Sequence, residues 1–125
     1  GLLLAYLAIG IKKNDVIIMP SINFVASINM AYFIGAKVFL TDVDPSTGIM
    51  RAKDLEACIK KYNLKKIHTI VTMHNGGIPS NIKKKNIGLI LLKMNVTLLV
   101  EAIYQKRKKL VIVNTARSQF FLSIQ

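Results

Sequence analysis

The chain has 125 residues, 52% of them hydrophobic, and a formal net charge of +12 from 18 Lys and Arg against 6 Asp and Glu. That length and apolar content exclude a disordered tail and fit one domain or less with a usable core. The charge by itself admits a nucleic-acid or anionic-membrane partner. Against that stand 15 lysines to 3 arginines and 18 isoleucines, a bias that AT-rich codons produce. No DNA-reading motif or interleaved exposed aromatics accompany the charge, so no nucleic acid is expected. The single cysteine, Cys58, leaves no internal disulfide to form, which fits a reducing cytoplasm. Gly1 is not an initiator residue, so the sequence is expected to begin inside a longer or processed chain. LLLAYLAIG lacks the charged start and cleavage site of a signal peptide. No run reaches the roughly 18 apolar residues of a membrane span, so no membrane is expected either.

In chain order, Leu2–Ile9 reads as a helix closed by Gly10, and Val16–Met19 as a buried strand stopped by Pro20. Phe24–Ile34 has helical period, with Phe24, Ile28 and Ala31 on one face and Gly35 as its C-cap. Lys37–Leu40 is the next strand, and Asp44-Pro45-Ser46-Thr47-Gly48 is turn chemistry that Asp42 and Asp44 shape. Lys53–Lys61 is a helix with Leu55, Cys58 and Ile59 inward; Ile67–Met73 is a third strand with His68 as a surface residue at its edge. His74–Pro79 reads as a loop, followed by a helix to about Met94 and a fourth strand at Val96–Val100. Strands spaced by helices predict an α/β fold with a mainly parallel sheet covered by helices.

Ligands of such sheets sit beyond the carboxyl ends of the strands. That directs attention to Pro20–Phe24, Asp42–Asp44, His74–Gly77 and Glu101-Ala102. No G-x-G-x-x-G, no P-loop and no Cys/His spacing for zinc occurs.

The segment PSINFVASINMAYFIGAKVFLTDVDPSTG resembles the Pro-Ser-x-Thr-aromatic-x-Ala-Ser/Thr, Gly-Ala and Asp-Val-Asp pattern of the DegT/DnrJ/StrS sugar aminotransferases. TIVTMHNGGIP resembles the strand of that family ending in His-x-x-Gly-x-Pro, and LLLAYLAIGIKKND the helix after its phosphate-binding Ser-Gly-Thr turn. The resemblance covers residues 1–82 and implies part of the large domain of the type I pyridoxal-phosphate (PLP) fold. It implies PLP as cofactor, a keto-sugar nucleotide and an amino-acid donor such as glutamate as substrates, and a homodimer. It places Phe24 on the cofactor ring, where an electron-poor pyridinium prefers an aromatic face. Ser21 lies on the same turn, and Asn23 stands where the family has threonine. His74 and Met50, the latter within Gly48-Ile49-Met50, fall near the substrate.

The departures concern the chemistry. Ala102 stands where the family has the aspartate that protonates the pyridine nitrogen, and strand alternation points Glu101 the other way. No Ser-Phe-His-x-x-Lys run follows. SQFFLSIQ resembles only the strand before that lysine, and the clustered Lys106, Lys108 and Lys109 read as solvated. Residues 83–125 hold nine basic residues and one acid, Glu101. They read as a diverged or frameshifted continuation of the same domain. The resemblance thus implies a fragment of an aminotransferase for polysaccharide or amino-sugar biosynthesis, inactive alone. The alternative is a non-catalytic remnant associating with a full-length homologue.

Overall fold

The computed structural model describes residues 1–74 in full, together with the backbone of Ile90–Asn95, Leu99–Tyr104 and Lys109–Asn114. In order these are α1 (Leu2–Ala8), β1 (Val16–Pro20), α2 (Val25–Ile34), β2 (Lys37–Thr41), α3 (Ala52–Lys61), β3 (Thr69–His74), β4 (Ile90–Asn95), β5 (Leu99–Tyr104) and β6 (Lys109–Asn114). The strands form one sheet in the order β2-β1-β3-β4-β5-β6. β1 to β4 run parallel, and α2 and α3 are the crossovers between β1 and β2 and between β2 and β3.

Four of the five residues of β1 are buried, as expected of a strand covered on both faces. Ile17 and Met19 alternate onto one face, where α1 and α2 contribute Ala5, Tyr6 and Ala31, Ile9 joins them just after α1, and β3 contributes Val71. Ile18 and Ile70 alternate onto the other and meet Met50, Leu55 and Cys58 around α3. α2 ends at Gly35, whose φ of 83° lies in the left-handed region that glycine enters without strain. A Cβ there would also come within 3.1 Å of Lys13 Cγ.

Five residue pairs join β1 to β2, from Val16↔Lys37 to Pro20↔Thr41. Only Ile17↔Thr69 and Ile18↔Ile70 join β1 to β3. Met19 and Val71, the next residues along each strand, are both buried in one core, so β1 and β3 stay packed past their last ladder pair. Pro20, which has no N–H to donate, falls where a ladder bond is not asked of it.

The second half departs from the sequence reading. Ile90–Asn95, expected in a helix, is strand β4, paired in parallel with β3. ILLKMN is a short, mostly apolar run with only Lys93 and Asn95 polar, and periodicity cannot separate so short a run from a buried helix. The strand expected at Val96–Val100 is found as β5, beginning at Leu99 and continuing to Tyr104. It is antiparallel to β4, and β6 is antiparallel to β5. Ala102 sits opposite Leu92 in mid-strand, so Glu101-Ala102 does not lie at the carboxyl rim of the parallel strands. His74 closes β3 rather than opening the loop. The loop after it, the boundary at residues 82–83, Lys106, Lys108 and the SQFFLSIQ segment lie outside the described residues.

Candidate functional site at the carboxyl edge of the sheet

Pro20 ends β1, and the chain turns through Ser21–Phe24 into α2. Ser21 is exposed and anchored by its backbone, its N–H donating to the Thr41 carbonyl at 2.9 Å. Phe24 does not share the helical face that its spacing gave it with Ile28 and Ala31. It is the N-cap of α2, on extended backbone with φ −68° and ψ 126°, and it is 57% exposed. Its predicted companions do turn inward: Ala31 is fully buried and Ile28 packs against the same core. A large aromatic held half in solvent at the carboxyl end of a central strand is where an α/β sheet offers a ligand face.

The backbone of Phe24 is tied at both ends. Its N–H donates to Asn23 Oδ1 at 2.8 Å. Its carbonyl accepts the Ser27 hydroxyl at 2.6 Å and the Ser27 N–H at 3.0 Å. Ser27 is fully buried and its own carbonyl accepts the Tyr6 hydroxyl at 3.2 Å. Burial pushes the Tyr6 phenol well above its ordinary range. Asn23 Nδ2 is buried beside Phe24 without a hydrogen-bond partner among the described residues, as are Thr41 Oγ1 and Thr72 Oγ1. Buried donors and acceptors left open near a ligand edge are unusual enough to mark it. Sequence reasoning missed Ser27 and Tyr6. The signal available was a serine three residues into a helix whose N-cap has no polar side chain.

The other predicted residues do not converge on this point. His74, half-buried, ends β3 in register with Asn95. Met50 is 2% exposed and fills the core on the α3 side. It does so because the Asp44–Gly48 turn folds back, with the Asp44 N–H on the Ile49 carbonyl at 2.9 Å. Arg51 locks that turn, donating to Asp44 Oδ2 at 2.6 Å and to Asp54 Oδ2 at 2.8 Å. The Ser46 hydroxyl and N–H, with Arg51 behind them, hold the Asp44 carboxyl down at about 2. His68 is half-buried, its Nδ1 2.7 Å from Thr69 Oγ1. A cavity of about 150 Å³ opens between β2 and α3, lined by Thr41, Asp42, Cys58 and Lys61 among others. It does not include Ser21, Phe24 or His74. Burial raises the Cys58 thiol above its ordinary value, which keeps it protonated and unreactive. Among the described residues no cluster of His, Cys, Asp or Glu could hold a metal, and no helix is long and apolar enough to cross a membrane.

Residues 1–114 match the DegT/DnrJ/EryC1/StrS aminotransferase family. Among solved structures, an aminotransferase from Psychrobacter cryohalolentis is 28% identical with a TM-score of 0.62, over 74% of this chain and 24% of that one. NtdA from Bacillus subtilis, with bound cofactor PMP, is 25% identical with a TM-score of 0.56, over 64% and 18%. Spr1654 from Streptococcus pneumoniae, described as a sugar aminotransferase and solved in a PLP form, shares the fold at 24% identity and a TM-score of 0.56, over 64% and 19%. The chain thus spans about a fifth to a quarter of the proteins it matches.

Proposed function

The chain belongs to the DegT/DnrJ/EryC1/StrS aminotransferase family, and from that premise we propose that it is the cofactor-facing part of a PLP-dependent sugar aminotransferase large domain. The intact enzyme would move an amino group from an amino acid, glutamate by family pattern, to a keto-sugar nucleotide for polysaccharide or amino-sugar synthesis in the cytoplasm. The observation that carries this reading is Phe24, presented half-exposed at the carboxyl end of β1 within the family-matched segment.

The residues fit one face of the cofactor. Phe24 would lie against the pyridine ring, and the open Asn23 amide and the exposed Ser21 would edge it. Bound PLP supplies an electron sink for charge developing at the donor's α-carbon. What Phe24 does is bind and orient, because an offset aromatic face favours a flat, electron-poor ring. Proton transfer and pairing of the ring nitrogen fall to groups these 125 residues do not carry in family position: no Ser-Phe-His-x-x-Lys run occurs, and Ala102 replaces the aspartate. By themselves the 125 residues bind without turning over, and residues 83–125 form a diverged continuation of the same domain.

A second reading has its own observation. α1 and α2 contain no charged residue, in a chain of net charge +12, and they expose Leu4, Leu7, Val25, Tyr32 and Phe33. A face apolar on its outer side is built to be covered. A full-length homologue, docking as one subunit of a homodimer docks on the other, is the partner this reading names. Reading the gene past the codon of Pro79 in all three frames separates the two. A frame that restores Glu-Asp-Ala and Ser-Phe-His-x-x-Lys supports the enzyme. An open frame without that lysine, with co-elution of chain and homologue lost in Phe33→Lys, supports the interaction remnant.

A further inference from the structure

We propose that Ser27 and Tyr6 are positioning residues that set the angle at which the Phe24 ring is presented. The proposal rests on the reading of Phe24 as the stacking face. A helix N-cap ordinarily offers a side-chain oxygen to the first free N–H groups. Here the N-cap is Phe24 and no side-chain cap bond forms. The bonding runs the other way: Ser27, inside the first turn, donates its hydroxyl back to the Phe24 carbonyl. With the N–H of Phe24 held by Asn23, both backbone polar groups of the residue are engaged. Its Cα–Cβ bond is thereby fixed although the ring stands in solvent.

Ser27 is in turn held from behind. Its carbonyl accepts the Tyr6 hydroxyl, and both residues are fully buried. A hydrogen-bonded line thus runs from α1 through Ser27 to the Phe24 carbonyl, at the backbone that carries the ring. A helix that gives up its cap to seat an aromatic breaks a local rule, and such breaks concentrate at functional positions.

The test uses the full chain and pyridoxamine phosphate, an amine that forms no imine with surface lysines. Dissociation constant and induced circular dichroism per bound pyridine ring are read for Phe24→Ala, Ser27→Ala, Ser27→Thr and Tyr6→Phe. Loss of a stacked aromatic weakens binding about tenfold in Phe24→Ala. Loss of one orienting hydrogen bond weakens it about threefold in Ser27→Ala and in Tyr6→Phe. Both of these also lower the induced dichroism of each ring still bound, a signature that lost stability alone does not produce. Ser27→Thr, which keeps the hydroxyl, retains both values. If Phe24→Ala loses affinity while Ser27→Ala and Tyr6→Phe keep affinity and dichroism, the positioning role is overturned and the stacking reading stands. If the unsubstituted chain does not bind saturably, or Phe24→Ala binds unchanged, both fall. Should Ser27→Ala fail to fold, Tyr6→Phe decides, since it removes one oxygen and leaves the packed ring.

Discussion

One face of the sheet is covered by α1 and α2, the other by α3, and the two coverings follow opposite rules. α3 is amphipathic: Leu55 and Cys58 are buried, while Lys53, Glu56 and Lys60 face solvent, the pattern of a helix finished toward water. α2 is apolar nearly all round and exposes Val25, Tyr32 and Phe33. It has a sharp end at Gly35 but no polar cap at its start. The α3 layer therefore contributes stability and holds the Asp44–Arg51 turn. The α1–α2 layer contributes core on its inner side and leaves apolar side chains exposed on its outer side.

The largest test of this contrast lies in the cores. Tyr6→Ala empties a fully buried aromatic site on the α1–α2 side and should cost about 3–5 kcal/mol in chemical denaturation. Leu55→Ala on the α3 side should cost about 2–4 kcal/mol. If Leu55→Ala proved the costlier, α3 rather than α1 would dominate the fold. Gly35→Ala forces a side chain into left-handed backbone against Lys13 and should cost about 1–2 kcal/mol, read as a drop in thermal midpoint.

Smaller effects come from titration, and they separate the layers by pH. The Tyr6 phenol is raised in the folded state, so its contribution is complete below the ordinary value of 10 and fades as pH rises above it. Asp44 behaves inversely. Its carboxyl is lowered, so its contribution is complete above about 4 and is lost as pH falls toward about 2. Stability scans should show an alkaline loss that Tyr6→Phe removes and an acid loss that Asp44→Asn removes. Smallest of all, Tyr32→Lys should change stability by less than about 0.5 kcal/mol, because its side chain is 60% exposed. A larger loss by thermal melt would mean that this face is already part of the core.

Much of residues 1–74 was legible in the sequence, for reasons tied to particular residues. Gly35 announces a left-handed helix end, the Asp44–Gly48 run announces a turn, and the Leu55–Cys58 spacing announces an amphipathic helix. All three are local signals. The readings that failed depended on partners far along the chain. Ile90–Asn95 is mostly apolar and too short to show a period, and its pairing with β3 and β5 makes it a strand. The direction of β5 is set by its pairing with β4, which no residue within Leu99–Tyr104 encodes alone. Phe24 has the right spacing for a buried helical face, yet it stops one residue short of the helix, and that single step turns the ring outward. Met50 sits near a family substrate position in sequence, but the turn held by Arg51 carries it inward. Of the candidate site, the aromatic and its turn were readable. The serine and tyrosine behind them were not, because a hydrogen bond spanning 21 residues leaves no local pattern.

The unequal ladders on either side of β1 have an energetic consequence. Five residue pairs bind it to β2 and two bind it to β3, so the β1–β3 seam leans more on side-chain packing, with Ile17 and Met19 against Val71 in one buried cluster, than on main-chain hydrogen bonds.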